Sequence, residues 1–256
     1  MMQSAGVLRD ISYAVEATQP PGSRTLDIYK PEQKSFGPLI VFVHGGLWLH
    51  RDKADHEALA NKLVSRGATV ALVNYRLSGT GVQHPQHTQD LALALNFLAT
   101  EGRAVTECKD FVLVGHSCGA TMSALVTLEP ERFGLDDVAL KCIRSCVGVQ
   151  GLYDLRLYIS AFPDWTSEIE KSQGHDHSSW DSPVNVSGTS VPWVVVHGLG
   201  DKYVPLNQAE VFVAHLKSLG QTVTLETNVP GDHFDAVQHG STELVHLLLE
   251  AAAKAN

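Results

Sequence analysis

One pentapeptide, Gly115-His116-Ser117-Cys118-Gly119, constrains the fold of this chain more than any other stretch. An apolar run, Phe111-Val112-Leu113-Val114, leads into it, and Ala120-Thr121-Met122-Ser123-Ala124-Leu125-Val126 follows. The first run suits a buried strand, the second a helix. A serine on so sharp a strand-to-helix turn is held in a strained conformation, with its hydroxyl presented at the edge of the sheet. The flanking glycines are required because side chains there would collide with the neighbouring strand and helix. Without such flanks G-x-S-x-G is common. With them it marks Ser117 as a candidate nucleophile.

A nucleophilic serine needs a base, an orienting acid and donors for the oxyanion. Downstream, Trp193-Val194-Val195-Val196-His197 reads as a buried strand and ends in Gly198-Leu199-Gly200-Asp201. A carboxylate on that loop can reach a histidine without being stranded in the core. His233 lies on a glycine-containing loop, Val229-Pro230-Gly231-Asp232-His233-Phe234, between the strand 223–226 and the last helix. The order Ser117, Asp201, His233 is the chain order of α/β-hydrolases, and of neither chymotrypsin nor subtilisin. Asp154 and Asp232 are rival acids. Asp232 is disfavoured because an adjacent residue rarely points at its neighbour's far ring nitrogen. Upstream, Leu39-Ile40-Val41-Phe42-Val43 precedes His44-Gly45-Gly46-Leu47-Trp48. Two glycines after a strand let the backbone come close to a ligand. The amides of Gly46 and Leu47, with that of Cys118, are the expected oxyanion donors.

Around these points strands and helices alternate. Strands are expected at 25–29, 39–43, 69–74, 111–114, from 146, at 193–197 and at 223–226. Helices are expected at 53–66, 88–100, 120–126, 206–219 and 241–254. Such alternation predicts a mostly parallel sheet with helices on both faces, and 256 residues suffice for one such domain, 1–256. The segment 151–188 breaks the rhythm, reading as neither a clean strand nor a clean helix. It carries Tyr153, Tyr158, Phe162, Trp165 and Trp180 and starts at the same end of the sheet as the serine turn. It is expected to form a short cap over the site.

Charge and cysteine usage narrow the function classes. A net charge of −9 without a basic patch argues against nucleic-acid binding. No apolar run approaches a membrane span, and residues 1–10 lack a signal-peptide core. The four cysteines, Cys108, Cys118, Cys142 and Cys146, are few and oddly placed for a disulfide framework. Free buried thiols and a cytoplasmic location are expected. His84 and His87 are not a zinc signature without a third ligand on rigid structure. No metal or organic cofactor is called for, and the expected partner is a small-molecule substrate.

His44-Gly45-Gly46-Leu47-Trp48, with tryptophan in fifth place, resembles the H-G-G-x-W motif of kynurenine formamidases (arylformamidases). The run 115–121, Tyr153 after Gly151-Leu152, and the His233 loop also look like fungal members of that family. The resemblance implies an α/β-hydrolase fold, hydrolysis of N-formyl-L-kynurenine to L-kynurenine and formate in tryptophan catabolism, and a homodimer. It places Ser117, Asp201 and His233 as the triad, with the H-G-G-x-W amides serving the oxyanion. The expected pocket has Trp48 closing the acyl side and the cap aromatics Tyr153, Phe162 and Trp165 stacking on the arylamine, with Phe234 as a further pocket residue. A general short-chain carboxylesterase of the same fold is the alternative. A small serine peptidase and a noncatalytic binding protein are lesser ones.

Overall fold

The central strands are apolar on both sides, and the computed structural model shows why. It describes residues 6–14, 22–33, 37–188 and 191–254. Residues 1–5, the first half of the stretch read as lacking a signal-peptide core, fall outside the described residues. The strands are β1 (Gly6–Ser12), β2 (Thr25–Lys30), β3 (Leu39–Val43), β4 (Val70–Val73), β5 (Phe111–His116), β6 (Ile143–Val149), β7 (Trp193–Val196) and β8 (Val223–Glu226). They form one sheet in the order β1-β2-β4-β3-β5-β6-β7-β8. β1 and β2 pair antiparallel with each other, and β2 pairs antiparallel with β4. The rest run parallel.

Alternate residues of each central strand feed opposite faces. Leu39, Val41 and Val43 join Phe111 and Leu113 in one core, while Ile40, Phe42, Val112 and Val114 join the other. The main helices are α1 (Glu57–Val64), α2 (Gln86–Ala99), α3 (Cys118–Leu128), α4 (Leu155–Ala161), α5 (Thr166–Gln173), α6 (Asn207–Ser218) and α7 (Thr242–Lys254). Leu91, Leu95 and Leu98 of α2, all of α3's apolar residues, and Phe212 and Leu216 of α6 fill the first core. Leu59 and Leu63 of α1 and Leu244 and Leu248 of α7 fill the second. This is the α/β-hydrolase fold, a mixed and mostly parallel sheet with helices on both faces. α3 is buried along its whole length, being covered by the sheet and by α2.

Beyond several short helices the sequence reading did not expect, among them Arg103–Thr106 and Asp137–Cys142, and a start of β6 at Ile143, the structure differs from that reading in three larger features. β1 is an exposed edge strand, and its mostly exposed residues carry no periodic apolar signal. The helix expected at 53–66 begins as a 3-10 turn, Lys53–His56, capped by Asp52, before α1 proper. The segment 151–188 is more ordered than expected, holding α4, α5 and three 3-10 turns. All four cysteines are free and buried, and among the described residues no helix is long and apolar enough to cross a membrane.

Burial of five imidazoles has a consequence for stability. Desolvation pushes His44, His56, His87, His116 and His197 below the ordinary histidine value, to about 3 for His56 and His87. Neighbouring histidine charge lowers His56 and His116 further. A histidine of this kind takes its proton only in the unfolded chain. The folded state therefore loses nothing above about pH 6.5 and is penalised progressively below it, at about 1.4 kcal/mol per pH unit for each imidazole. Thermal melts are expected to be flat near neutrality and to fall steeply below about pH 6. A melting temperature that holds constant down to about pH 4 would contradict this assignment of neutral imidazoles.

Candidate active site

Every candidate catalytic residue lies on a loop at the carboxyl end of a parallel strand. His44 to Trp48 follow β3, Ser117 follows β5, Asp201 follows β7 and His233 follows β8. β3 and β5 are neighbours, so the H-G-G turn and the serine turn touch. A Cβ on Gly45 would lie 2.7 Å from the Ser117 Cβ.

The serine turn is built by steric exclusion. Ser117 sits at φ 53°, ψ −123°, a region that side-chain-bearing residues rarely occupy. Its amide is anchored to Val149 O at 2.9 Å. A Cβ on Gly115 would lie 2.4 Å from Gly119 O, and one on Gly119 would lie 2.4 Å from Val43 O. Only glycine lets β3, β5 and α3 approach this closely. Cys118 begins α3, so its amide is one of the unpaired donors of a helix N-terminus.

His233 and Asp201 meet across the sheet's end. His233 Nδ1 donates to Asp201 Oδ2 at 2.7 Å, and the pair is almost wholly buried. Asp201 Oδ1 accepts the amides of Tyr203 and Val204 at 2.8 and 2.9 Å. Burial works to raise the Asp201 pKa. The His233 hydrogen bond and charge and the two amides outweigh it, so the carboxyl lies below its ordinary value. The two loops press together: a Cβ on Gly200 would lie 2.5 Å from Gly231 O. With Nδ1 engaged, Nε2 is the ring nitrogen left for a serine hydroxyl. The rival acids are occupied elsewhere. Asp154 caps α4 by accepting from Arg156 and Leu157 amides. Asp232 accepts the amide of Phe234 in its own turn.

His116 braces this arrangement. Its Nε2 donates to the backbone carbonyl of His233 at 2.7 Å, and the two rings lie 4.7 Å apart. Burial keeps it neutral. The H-G-G turn is equally fixed. Gly46, Leu47 and Trp48 have φ of 110°, 54° and 61°. The Trp48 amide donates to Cys118 Sγ at 3.3 Å. Burial pushes the Cys118 thiol up to about 11, so it stays neutral.

Ser117 and His233 open on one cavity of about 340 Å³. Gly46 and Leu47 of the turn line it, as do Leu152, Tyr158 and Trp165 from the 151–188 segment. Tyr203, Val204 and Phe234 complete the apolar wall, with His50 and Arg51 at its rim. The expected pocket needs correction at three positions. Trp48 is 1% exposed and sits in the core near His87, not on the cavity. Tyr153 is fully buried, stacked on Phe212 at 4.1 Å. Phe162 packs behind Tyr158, ring centres 5.3 Å apart, and does not line the cavity. Trp165 and Phe234 do line it. Tyr158, Tyr203, Leu152 and Arg51 were missed as lining residues. No local pattern distinguishes an aromatic facing a cavity from one facing the core. His84 and His87 are also engaged, on Asp181 at 2.6 Å and Ser78 at 2.9 Å.

The family model BD-FAE matches residues 26–216. The chain belongs to that family. Among related proteins, kynurenine formamidase avaC of Aspergillus versicolor is 27% identical over 238 residues, covering 77% of this chain and 82% of that one. Esterase LipC of Mycobacterium tuberculosis is 25% identical over 225 residues, covering 80% and 56%. Among solved structures, esterase B from Lactobacillus rhamnosis superposes with a TM-score of 0.81 at 20% identity, covering 99% of this chain and 87% of that one. This BD-FAE protein is thus an enzyme of the α/β-hydrolase fold.

Proposed function

We propose that this BD-FAE protein is a serine carboxylesterase for short acyl groups, with Ser117 as nucleophile, His233 as base and Asp201 as the orienting acid. The observation that carries the reading is the buried His233–Asp201 pair opening, together with strained Ser117, on one apolar cavity. In this mechanism Ser117 Oγ attacks the acyl carbon as His233 Nε2 takes its proton. The tetrahedral oxygen is held by the amides of Cys118 and of Gly46 or Leu47. Nε2 then returns the proton to the leaving group, and water attacks the acyl-enzyme by the same route. Asp201 holds the imidazole tautomer and stabilises its charged form without taking the proton.

A second reading, cleavage of N-formyl-L-kynurenine, is favoured by the H-G-G-x-W turn and by the name of the Aspergillus versicolor relative. Its strongest physical argument was a tryptophan closing the acyl side. With Trp48 in the core, that closure is not supplied by Trp48. Specificity constants on p-nitrophenyl acetate and butyrate, beside N-formyl-L-kynurenine, separate the readings. The short esters are expected to give the higher kcat/KM. A preference for formylkynurenine by a factor of ten or more, about the discrimination one methylene supplies, would make this an arylformamidase instead.

A further inference from the structure

The cavity beside Ser117 is walled mainly by carbon, and Arg51 is the one permanently charged side chain among the described residues lining it. Its stem crosses the oxyanion turn, since a Cβ on Gly46 would lie 2.8 Å from Arg51 Cγ. Its guanidinium stands 4.5 Å from the centre of the Phe234 ring. That ring in turn meets the His233 imidazole edge-on at 4.9 Å. The cation is therefore held one ring away from the candidate base. Stacking on an aromatic face fixes the plane of a guanidinium and leaves its N–H edge for a planar anion.

Two further observations set this arginine apart. Its ion-pair partner, Asp55, stands 3.8 Å from Nη1, beyond hydrogen-bond distance. The donors of the guanidinium are not consumed by that contact. Arg51 also sits at φ 83°, a left-handed conformation that glycine adopts at far lower cost. Strain of this sort clusters at active sites and ligand clamps.

We infer that Arg51 determines specificity by binding a carboxylate on the leaving-group half of the substrate, so that the preferred substrates are small esters or amides bearing an anionic group. The position follows from the proton's path. His233 Nε2 delivers its proton to the leaving group, and Arg51 lies on the His233–Phe234 side of the cavity. A carboxylate there forms charge-assisted, bidentate hydrogen bonds. The inference rests on the serine-hydrolase reading above.

The test is a charge-matched pair, 4-acetoxybenzoate and its methyl ester, hydrolysed by the wild type, R51Q, R51K and R51G. For R51Q, kcat/KM on 4-acetoxybenzoate is expected to fall about ten- to a hundredfold, mainly through KM, because charge-assisted hydrogen bonds are lost. The ratio of charged to neutral ester should collapse with it. R51K should lie between, since an ammonium cannot pair in bidentate fashion. R51G relieves the backbone strain, so it should melt no lower than the wild type while losing the same preference. An equal fall on both esters, or no fall on either, would overturn the inference. If the wild type turned over neither ester, the serine-hydrolase reading would fail by itself. Arg51 is then judged by calorimetry with 4-hydroxybenzoate, where equal affinity of wild type and R51Q would overturn its role.

Discussion

Ser117→Ala is expected to lower kcat by about a millionfold, the scale seen when a triad nucleophile is removed. The fold should survive the change. Alanine has a Cβ like serine and accepts the same strained turn, where φ is 53°, and the side chain lost is small. The amide of residue 117 would still bond to Val149 O. The expected result is therefore an enzyme with wild-type melting behaviour and no burst on a chromogenic ester. A serine-directed organophosphorus reagent should add no mass to the variant, while it adds one equivalent to the wild type. Retention of more than about a tenth of the activity would sink the assignment, since so small a loss is far below the scale of a nucleophile.

Asp201→Asn is expected to cost about four orders of magnitude in kcat. Asparagine can still accept the amides of Tyr203 and Val204, so the loop should keep its shape. Its amide group would donate to His233 Nδ1 where the carboxylate accepted. That forces the proton onto Nε2, the nitrogen that must act as base. Asp154→Asn and Asp232→Asn should change activity little, because asparagine replaces aspartate well at caps and turns. The stability effect has a defined sign. Asp201's pKa lies below its ordinary value, the His233 bond and charge and two amides outweighing burial. A depressed carboxylate contributes stability above its unfolded pKa and loses it as pH falls through the folded value. The gap in stability between wild type and Asp201→Asn should therefore be full at neutral pH and close in acid. Kinetics and melts on the three variants check both halves. Should Asp154→Asn be the inactive one, the acid belongs to the loop between β6 and α4.

Much of this site is local in origin, and so it was readable from sequence. The G-x-S-x-G turn announces itself because glycine at 115 and 119 is required by backbones 2.4 Å from a would-be Cβ. The strands β3, β5 and β7 announce themselves by unbroken apolar runs, as strands covered on both faces must. Ser117 and Asp201 stand out as candidates by their places after such strands, and His233 by its place on the loop after the edge strand β8. The parallel sheet follows from the alternation of strand and helix, because crossover connections need an intervening element.

What the sequence could not determine is which way a side chain faces once the chain is packed. Trp48 carries the same motif position whether its indole fills the core or closes a pocket. The positive φ of Leu47 and Trp48 and the space near His87 decide for the core. Tyr153 is taken into the core by the face of Phe212, on a helix more than fifty residues later. Tyr158 and Trp165 reach the cavity because short helices in the 151–188 segment bring them there, and eight residues or fewer give too few turns for a periodic signal. Arg51 stands as an ordinary charge in the sequence, and only the docking of Phe234 beneath it makes it part of the site. Steric and periodic rules act within a few residues and therefore show in the sequence. The facing of side chains is settled by contacts between segments far apart along the chain, and exists only in the tertiary structure.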